Sequence, residues 1–511
     1  MKTGSLSLRK FQLAAVLTIA LFAVVTILFA QSAPKQNDAE DKTATVSKLD
    51  AKQIQIDLDK ATAFDLPDAK NDLTAVSFKT PDGKEGWVMR IPGSRPIATP
   101  AYSDGMIFVG GGYGSHEFYA IDAETGRVVW QMKTQDDGPT AAVVEDGCVA
   151  FNTESCTVIV AEAKTGKVLW QEWLGEPLMS QPAISKGRLY IAYPGGQRGA
   201  QAQNNSAQSD SSNLGPGNRM LCADLKTGRH IWEQKITADV ISAPVISGDQ
   251  VLFTCFDGVS FCLDASTGAV VWMKENAGTS APLVAGSHVV TTSKEMKDGK
   301  AYEGLKRLEL KGGEERDRVM LAREKADYLK ENKGGGVAMD AGTVGKLDSS
   351  VGFSSAPSTA KLSEANKHIG VSTVAGAWAY QGSRAAYRNG QMMNAQGKYL
   401  NSIKAGDGKF AWRAEVKGQG IGEDTQVFSP PALGERNLYL CGAQGHLVAV
   451  KQQDGALAFA YALKQPMTFQ PALAKGAIYA GTVNGLLICL KTGDKDADGW
   501  YAWGGNAQHN K

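Results

Sequence analysis

The side chains that could do chemistry are seven cysteines, six histidines and a few acids between apolar segments. The cysteines stand at positions 148, 156, 222, 255, 262, 441 and 489. No Cys-x-x-Cys spacing occurs, so the sequence carries no sign of a zinc ribbon, a redox pair or covalent haem. The histidines stand at positions 116, 230, 288, 368, 446 and 509 and share no metal-ligand spacing.

Three of the cysteines, Cys222, Cys262 and Cys489, occupy equivalent places before a predicted turn. This favours buried strand residues over ligands, because free cysteine is among the most buried residue types. Cys255 and Cys262 flank a predicted hairpin turn at Asp257-Gly258. There they would lie diagonally rather than directly opposite, so a disulfide is not favoured but stays open as an alternative.

The remaining candidates are acids in predicted loops: Asp136, Asp137, Glu423 and Asp424. Acids in such loops are ordinarily solvated, and glycoside hydrolysis would need two placed carboxylates that the sequence does not locate. The 54 basic and 53 acidic residues give a net charge near zero and no argument for nucleic acid. No glycine-rich phosphate loop precedes a helix. The sequence therefore identifies no catalytic residue and no metal ligand.

The elements that would position these residues come from one repeated pattern: an acid, two residues, Thr-Gly, three residues and Trp. The copies are Asp122-Ala-Glu-Thr125-Gly126-Arg-Val-Val-Trp130, Glu162-Ala-Lys-Thr165-Gly166-Lys-Val-Leu-Trp170, Asp224-Leu-Lys-Thr227-Gly228-Arg-His-Ile-Trp232 and Asp264-Ala-Ser-Thr267-Gly268-Ala-Val-Val-Trp272. Each copy predicts a strand, a tight turn and a returning strand, since the acid and Thr can bond local backbone and Gly accepts positive φ. One hairpin cannot bury its own face, so the repetition predicts a closed array.

The spacing of the repeat predicts four short strands in about forty residues, which is typical of a propeller blade. Turn glycines stand at positions 126, 166, 228, 268, 408, 455 and 493. The interval from 268 to 408 is too long for one blade, and Ala281-Pro282-Leu283 starts a further one. We therefore predict an all-β, eight-bladed β-propeller of four-stranded antiparallel blades, which start near 98, 140, 181, 243, 281, 381, 430 and 470.

Two insertions interrupt the predicted propeller, which spans residues 72–508. The first, residues 194–218, is rich in Gln, Asn, Ser and Gly and predicts a loop. The second, residues 309–377, contains a predicted helix at 314–332, where apolar residues have helical spacing. Residues 73–91 resemble the end of a blade without its beginning, so we expect them to close the ring. Residues Trp500–Trp503 are an alternative for the same place.

The N-terminus predicts export. A positively charged start precedes an uncharged run from Phe11 to Ala30, long enough to span a bilayer as a helix. The length of the run favours a retained anchor in residues 1–31, with residues 11–30 in the inner membrane, over a cleaved signal peptide. Residues 32–71 are polar and predict a tether with one short structured piece.

The repeated pattern resembles the pyrroloquinoline quinone (PQQ) repeat, which quinoprotein alcohol dehydrogenases and BamB-type outer-membrane assembly proteins share. The resemblance covers about residues 73–505. It implies that the tryptophan of one blade packs on the turn of the next blade. The residues with this implied role are Trp130, Trp170, Trp232, Trp272, Trp412, Gly126, Gly166, Gly228, Gly268 and Gly408. Phe459 replaces Trp in the seventh blade.

The resemblance leaves two functions open. A quinoprotein oxidoreductase would need PQQ in the propeller mouth, calcium and an aspartate base, often with two adjacent cysteines that this chain lacks. Function must be argued from a site, and the sequence provides none. We therefore expect a cofactor-free, monomeric scaffold on the periplasmic side of the inner membrane. It would bind envelope proteins through propeller loops and the 309–377 insertion.

Overall fold

Eight antiparallel sheets follow one another along the chain and form a β-propeller, as the sequence predicts. The computed structural model describes residues 51–154, 157–175, 180–195, 217–297, 300–325, 380–422 and 425–511. The first strands of successive blades contact one another around the axis, and the fourth strands form the outer edges.

The strands before and within the first four blades are β1 (Lys52–Asp57), β2 (Thr62–Ala63), β3 (Val76–Lys79), β4 (Glu85–Arg90), β5 (Ala101–Ser103), β6 (Met106–Gly110), β7 (Glu117–Asp122), β8 (Val128–Lys133), β9 (Val143–Glu145), β10 (Cys148–Asn152), β11 (Thr157–Glu162), β12 (Val168–Trp173), β13 (Ala183–Ser185), β14 (Arg188–Gly195), β15 (Gly217–Asp224), β16 (His230–Lys235), β17 (Val245–Ser247), β18 (Gln250–Thr254), β19 (Ser260–Asp264) and β20 (Val270–Lys274). A 3-10 turn spans Leu58–Lys60.

The strands of the other four blades are β21 (Leu283–Ala285), β22 (His288–Lys297), β23 (Lys300–Glu309), β24 (Glu315–Lys325), β25 (Ala386–Arg388), β26 (Gln391–Gln396), β27 (Tyr399–Lys404), β28 (Phe410–Lys417), β29 (Ala432–Leu433), β30 (Asn437–Cys441), β31 (His446–Lys451), β32 (Leu457–Ala462), β33 (Ala472–Ala474), β34 (Ala477–Gly481) and β35 (Leu486–Lys491).

The core consists of the middle strands of each blade, which are buried on both faces. In β7, the run from Phe118 to Ile121 is completely buried, whereas side chains of the outer strand β8 alternate between half-buried and exposed. This pattern follows because both faces of the middle strands pack against neighbouring blades. A continuous apolar run therefore marks a buried middle strand of a blade, and an alternating run marks its outer strand.

The ring closes between strands from opposite ends of the propeller sequence. Strand β4 pairs antiparallel with β35, and Trp87 lies opposite Cys489. The N-terminal strand thus supplies the outer part of blade 8, the place that residues 73–91 were expected to take. Trp500 instead makes a bridge with Leu473 on the innermost strand of that blade.

The segment before the propeller lies along the outer edges of three consecutive blades. Strand β1 pairs parallel with β28 of blade 6, and β2 pairs parallel with β32 of blade 7. Strand β3 pairs antiparallel with β4 of blade 8. Part of the predicted polar tether therefore forms fifth strands, which cover edges that would otherwise be exposed.

The predicted helix at 314–332 is wrong over its first part. Residues Glu315–Lys325 form β24, the fourth strand of blade 5, which pairs antiparallel with β23. Val319 and Ala322 have the three-residue step of a helix, but Val319 and Leu321 have the two-residue step typical of a strand, so the apolar spacing alone fits either element. The expected N-terminal helix and residues 326–379 lie outside the described residues. Helices long and apolar enough to cross a membrane are not found in the described part of the chain.

Candidate functional site

The acid of each repeated turn accepts hydrogen bonds from other residues of the same turn. Asp264 accepts hydrogen bonds from the Thr267 amide and hydroxyl, both at 2.8 Å, and from the Ser266 hydroxyl at 2.5 Å. The bonds from Ser266 and Thr267 lower the pKa of the Asp264 carboxyl to about 2. Asp122 and Asp224 bond the threonine of their own turns in the same way. A carboxylate held like this shapes the backbone and has little basicity for proton transfer.

The indole of a repeat tryptophan lies against the turn glycine of the next blade. A Cβ atom on Gly166, where φ is +73°, would come within 2.8 Å of the Trp130 ring. The Trp130 Nε1 also donates to the Ala163 carbonyl at 2.9 Å. The same contact joins Trp87 to Gly126, Trp170 to Gly228, Trp232 to Gly268, Trp272 to Gly313 and Trp412 to Gly455. These residues lie between blades, so none of them is placed to act on a ligand.

Two of these contacts were not visible in the sequence. Trp87 comes from β4, the fourth strand of blade 8, and Gly126 lies in blade 1. This contact therefore crosses the point where the ring closes. Gly313, at φ +72°, is the turn glycine of blade 5. The pattern at Gly313 lacks both the threonine and the tryptophan, which is why spacing alone did not reveal it.

Blade 5 replaces the indole with an ion pair. Asp317 stands four residues after Gly313, at the repeat position of the tryptophan. The Arg307 guanidinium donates to the Asp317 carboxylate and to the Ala405 carbonyl of blade 6. The same guanidinium approaches Gly408, so this predicted turn glycine meets an arginine rather than an indole.

The contact between blades 7 and 8 also lacks an indole. Phe459 packs against Tyr461, with ring centroids 5.1 Å apart. The ammonium of Lys84, from the β3–β4 turn, lies 5.3 Å from the Phe459 ring and donates to Tyr461 at 2.8 Å. The β3–β4 hairpin of blade 8 thus completes this contact.

The axis of the propeller is filled by the segment that follows the last blade. The Tyr501 and Ala507 carbonyls accept from the Tyr102 and Ile184 amides, at 2.6 and 2.8 Å. Further bonds reach the first strands of blades 4, 5 and 8, through Gln508, Asn510 and Trp500. A segment that bonds the inner strands of five blades must lie inside the ring. We call residues 500–511 the axial segment.

The centre of the axial segment is a buried cluster of an indole, an imidazole and a guanidinium. The Trp503 and His509 rings lie 5.1 Å apart, and Arg384 of blade 6 lies 5.1 Å from the Trp503 ring. Arg384 donates to the Pro282 and His509 carbonyls. Burial lowers the pKa of Arg384 to about 9 and, with the nearby Arg384 charge, lowers that of His509 to about 4. The polar groups on the axis, the Arg384 guanidinium and the His509 imidazole, thus hold the chain's own backbone.

PQQ, the cofactor that a quinoprotein fold implies, does not fit among these axial residues. The indole of Trp503 and the imidazole of His509 are 1% and 0% exposed and take the space along the axis at the inner strands. Among the described residues, no group of three or more His, Cys, Asp or Glu side chains could hold a metal ion. We therefore derive no reaction step at the axis.

The predicted loop acids separate into two groups. Glu423 and Asp424 lie outside the described residues. Asp136 accepts a hydrogen bond from Thr153, and the Asp137 carbonyl accepts from the Glu154 amide at 2.8 Å. Sequence reasoning missed Glu154, a residue that is 5% exposed and whose carboxylate accepts from the Tyr113 hydroxyl at 2.5 Å. Burial, opposed by the Tyr113 bond, raises the pKa of Glu154 to about 8.

The cysteines and histidines show no reactive arrangement in the described residues. Their six cysteines are buried free thiols, so Cys255 and Cys262 form no disulfide. His230 lies between the Glu172 and Glu233 carboxylates, at 2.9 and 2.8 Å. Glu172 belongs to blade 2 and Glu233 to blade 3, so His230 joins two blades. A structural role accounts for its contacts.

The two ends of the propeller differ. In a four-stranded antiparallel blade, the second connection and the connection to the next blade lie at the same end, which we call the loop end. The chain between β14 and β15 and the chain between β24 and β25 both leave from the loop end. At the opposite end, which we call the turn end, residues 494–499 bond the tight turns near Glu435 and Gly476. The longest connections therefore extend from the loop end.

Comparison with known proteins gives a family. A family model described as outer membrane protein assembly factor BamB matches residues 70–200, 200–344 and 371–498. A BamB protein of Nitrosomonas eutropha is 22% identical over 245 residues, which is 41% of this chain and 59% of the relative. The chain thus spans about three fifths of that relative's length.

Two other similarities are narrower. The quinoprotein alcohol dehydrogenase PedH of Pseudomonas putida is 28% identical over 116 residues, 20% of this chain and 19% of the relative. The solved structure of Saccharomyces cerevisiae Sqt1 has a TM-score of 0.51 at 9% identity and covers 83% of this chain and 99% of its own. At that identity the structure supports the propeller fold alone. Because the family model matches well over half of the sequence, this chain belongs to the family of BamB-type outer membrane protein assembly factors, with a PQQ-repeat propeller.

Proposed function

We propose that this protein is a non-enzymatic scaffold of the cell envelope that binds partner proteins at the loop end of its propeller. The observation that carries the proposal is the axial segment. Trp503, His509 and Arg384 occupy the centre of the ring, and the His509 and Arg384 side chains bond the chain's own carbonyls, so the axis has the character of a protein core. A rigid ring with a filled axis leaves its loops as the adaptable surface.

The relatives support the envelope location and the binding role. The curated relatives named BamB are outer membrane assembly factors by name, at low identity and over part of their length. We propose that residues 11–30 anchor the chain in the inner membrane with the propeller in the periplasm. The partners would be other envelope assembly proteins, and the protein would act as a monomer.

The surface for these partners would be the loop end, at the connections between β14 and β15 and between β24 and β25. Because residues 315–325 complete blade 5, a deletion that tests the second connection must spare them. A chain lacking residues 328–377 should keep its thermal stability and lose an envelope partner that the intact chain captures. Replacing the β14–β15 connection with a short Gly-Ser turn provides a second arm.

The opposing function is a PQQ- and calcium-dependent oxidoreductase, and one experiment separates the two. Purified protein is mixed with PQQ and calcium, and binding and dye-linked alcohol oxidation are measured. The scaffold proposal expects neither. Tight PQQ binding with turnover would overturn it, and loss of that turnover in a Trp503→Ala variant would place the chemistry at the axis.

A further inference from the structure

The outer edges of some blades are covered by a fifth strand, and those of other blades are not. In blades 6, 7 and 8 the chain's own strands β1, β2 and β3 cover the edge as fifth strands. In blade 4 the sheet ends at β20, which pairs with β19 and has no further strand among the described residues. An uncovered edge strand presents unpaired amide and carbonyl groups to any extended chain.

Strand β20 also lacks the side chains that usually protect such an edge. Val270, Val271 and Met273 are 46%, 47% and 47% exposed, so three of its five side chains are large, apolar and half in solvent. The other uncovered outer strands carry a polar residue at the repeat position of Met273: Gln131 in β8, Gln171 in β12, Glu233 in β16 and Arg318 in β24. Strand β16 has the sequence His-Ile-Trp-Glu-Gln-Lys, and β24 begins Glu-Arg-Asp-Arg. Charged residues on an edge oppose strand addition, and β20 has one only at its end, Lys274.

The molecule already contains a covered version of this edge. Strand β1 lies parallel to β28, with Ile54 opposite Ala414 and Ile56 opposite Val416. Ile56 is 1% exposed, and Ile54 reaches Gly455 beside Trp412. An alternating aliphatic segment is therefore what this type of outer edge accepts in the same protein.

Blade 4 differs from blade 6 on one face of the strand. Lys274 stands at the repeat position of Ala414. Its side-chain stem lies beside Gly313 and Trp272, the place that Ile54 takes beside Gly455 and Trp412 in blade 6. The opposite face of β20 presents Val271 and Met273 together, because alternate residues share a face. Lys274 has no ion-pair partner among the described residues. An occupant would thus place aliphatic residues over Val271 and Met273 and an acid near Lys274.

We propose that the outer edge of blade 4 is a docking site for an extended segment of a partner protein. The segment adds parallel to β20 as a fifth strand, with aliphatic residues over Val271 and Met273 and an acidic residue facing Lys274. This site deepens the scaffold function and rests on it. Main-chain hydrogen bonds supply affinity, and the alternating side chains supply specificity.

The test uses displayed eight-residue peptides in which aliphatic and polar residues alternate, with an acid at each polar place in turn. A library of the same composition in scrambled order is the reference. The full chain should enrich alternating peptides that contain an acid, and the best of them should slow amide exchange in Val270–Lys274. The V271K/M273K variant should bind them about tenfold more weakly, from lost cross-strand pairs and added charge.

The matched control lies on blade 1. Val129 and Gln131 stand at the repeat positions of Val271 and Met273, and Val129 is 39% exposed. A V129K/Q131K variant should bind the selected peptides as the unmodified chain does. Equal weakening in both variants, equal enrichment of scrambled peptides, or exchange protection at another strand would each overturn the site. So would a dimer of the unmodified chain that V271K/M273K dissociates, because the edge would then join two copies.

Failure of this site and failure of the scaffold function give different results. If V271K/M273K still captures envelope partners through the loop end and alternating peptides are not enriched, only the docking site is wrong. If the chain turns over alcohol with PQQ and calcium, the scaffold function is wrong whatever the peptides do.

Discussion

Arg307 donates to both carboxylate oxygens of Asp317 across strands β23 and β24, at the place where other blades put an indole. The Arg307 side chain is 2% exposed and the Asp317 side chain 39%. The guanidinium also donates to Ala405 of the next blade, as the indole nitrogens do elsewhere. At this position of the repeat, blade 5 thus has an ion pair where other blades have an aromatic ring.

Removing Arg307 should destabilise the ring more than removing a surface cation. Arg307→Met leaves Asp317 and the Ala405 carbonyl without their donor, and we expect a loss of about 2–3 kcal/mol in the free energy of unfolding. Lys464→Met, which breaks an ion pair whose side chains are 69% and 79% exposed, should cost under about 0.5 kcal/mol. Urea titration of both variants checks this. A D317W/R307L double variant should recover the lost stability by restoring an indole. Equal losses in Arg307→Met and Lys464→Met would contradict the prediction.

The blade-docking role of the turn glycines can be separated from their backbone conformation. Gly166 and Gly147 share a φ of +73°, but a Cβ atom meets the Trp130 ring only at Gly166 and open space at Gly147. Gly166→Ala should therefore cost about 1–3 kcal/mol more than Gly147→Ala, from the steric term alone. Thermal unfolding of the two variants measures the difference. Equal melting temperatures would mean that the indole contact carries no stability.

The buried His509 should make the protein less stable in acid. Because its folded pKa is about 4, below the usual value of 6.5, the unfolded chain binds a proton first as the pH falls. Stability is then complete above about pH 6.5 and decreases as the pH falls towards 4. A His509→Gln variant should show a shallower loss over this range, measured by urea midpoints. The Trp503 and Pro182 carbonyls at the two ring nitrogens oppose this lowering of the pKa. A stability slope identical to that of the unmodified chain would contradict the prediction.

The buried Glu154 should make the protein less stable as the pH rises, the opposite of the effect of His509. Its folded pKa of about 8 lies above the usual value of 4.5, so the folded chain keeps a proton that the unfolded chain has lost. The free energy of unfolding therefore decreases as the pH rises from about 4.5 to 8. Glu154→Gln should remove this decrease and raise the melting temperature at pH 8, whereas Glu435→Gln, on an exposed turn, should not. A constant difference between Glu154→Gln and the unmodified chain across this pH range would be the contrary result.

The ring was predictable because its signal is local. The acid, threonine, glycine and tryptophan of one turn lie within nine residues, so four near-identical copies define the hairpin without knowledge of the partners. The number of blades followed from the intervals between turn glycines. The fifth blade was found only by its opening Ala281-Pro282-Leu283, because Gly312 replaces the threonine and Asp317 replaces the tryptophan there.

The parts that the sequence did not predict depend on contacts between distant residues. The axial segment is held by backbone bonds to four blades, such as Ile184 to Ala507, and by the Asn510 side chain to a fifth, and backbone bonds leave no mark in composition. The pairing of β1 with β28 is of the same kind. The helix expected at 314–332 was wrong for another reason. Its apolar residues contain both the helical step from Val319 to Ala322 and the strand step from Val319 to Leu321, and the pairing with β23 decides for the strand.

The pairing of β4 with β35 has a consequence for biosynthesis. Trp87, Val88 and Met89 are almost fully buried in the finished ring, yet their partner strand is among the last to be translated. During translation this apolar segment must wait for nearly the whole polypeptide, and such delayed long-range contacts slow folding and expose the chain to aggregation. The ring therefore cannot close until its last strand has been made.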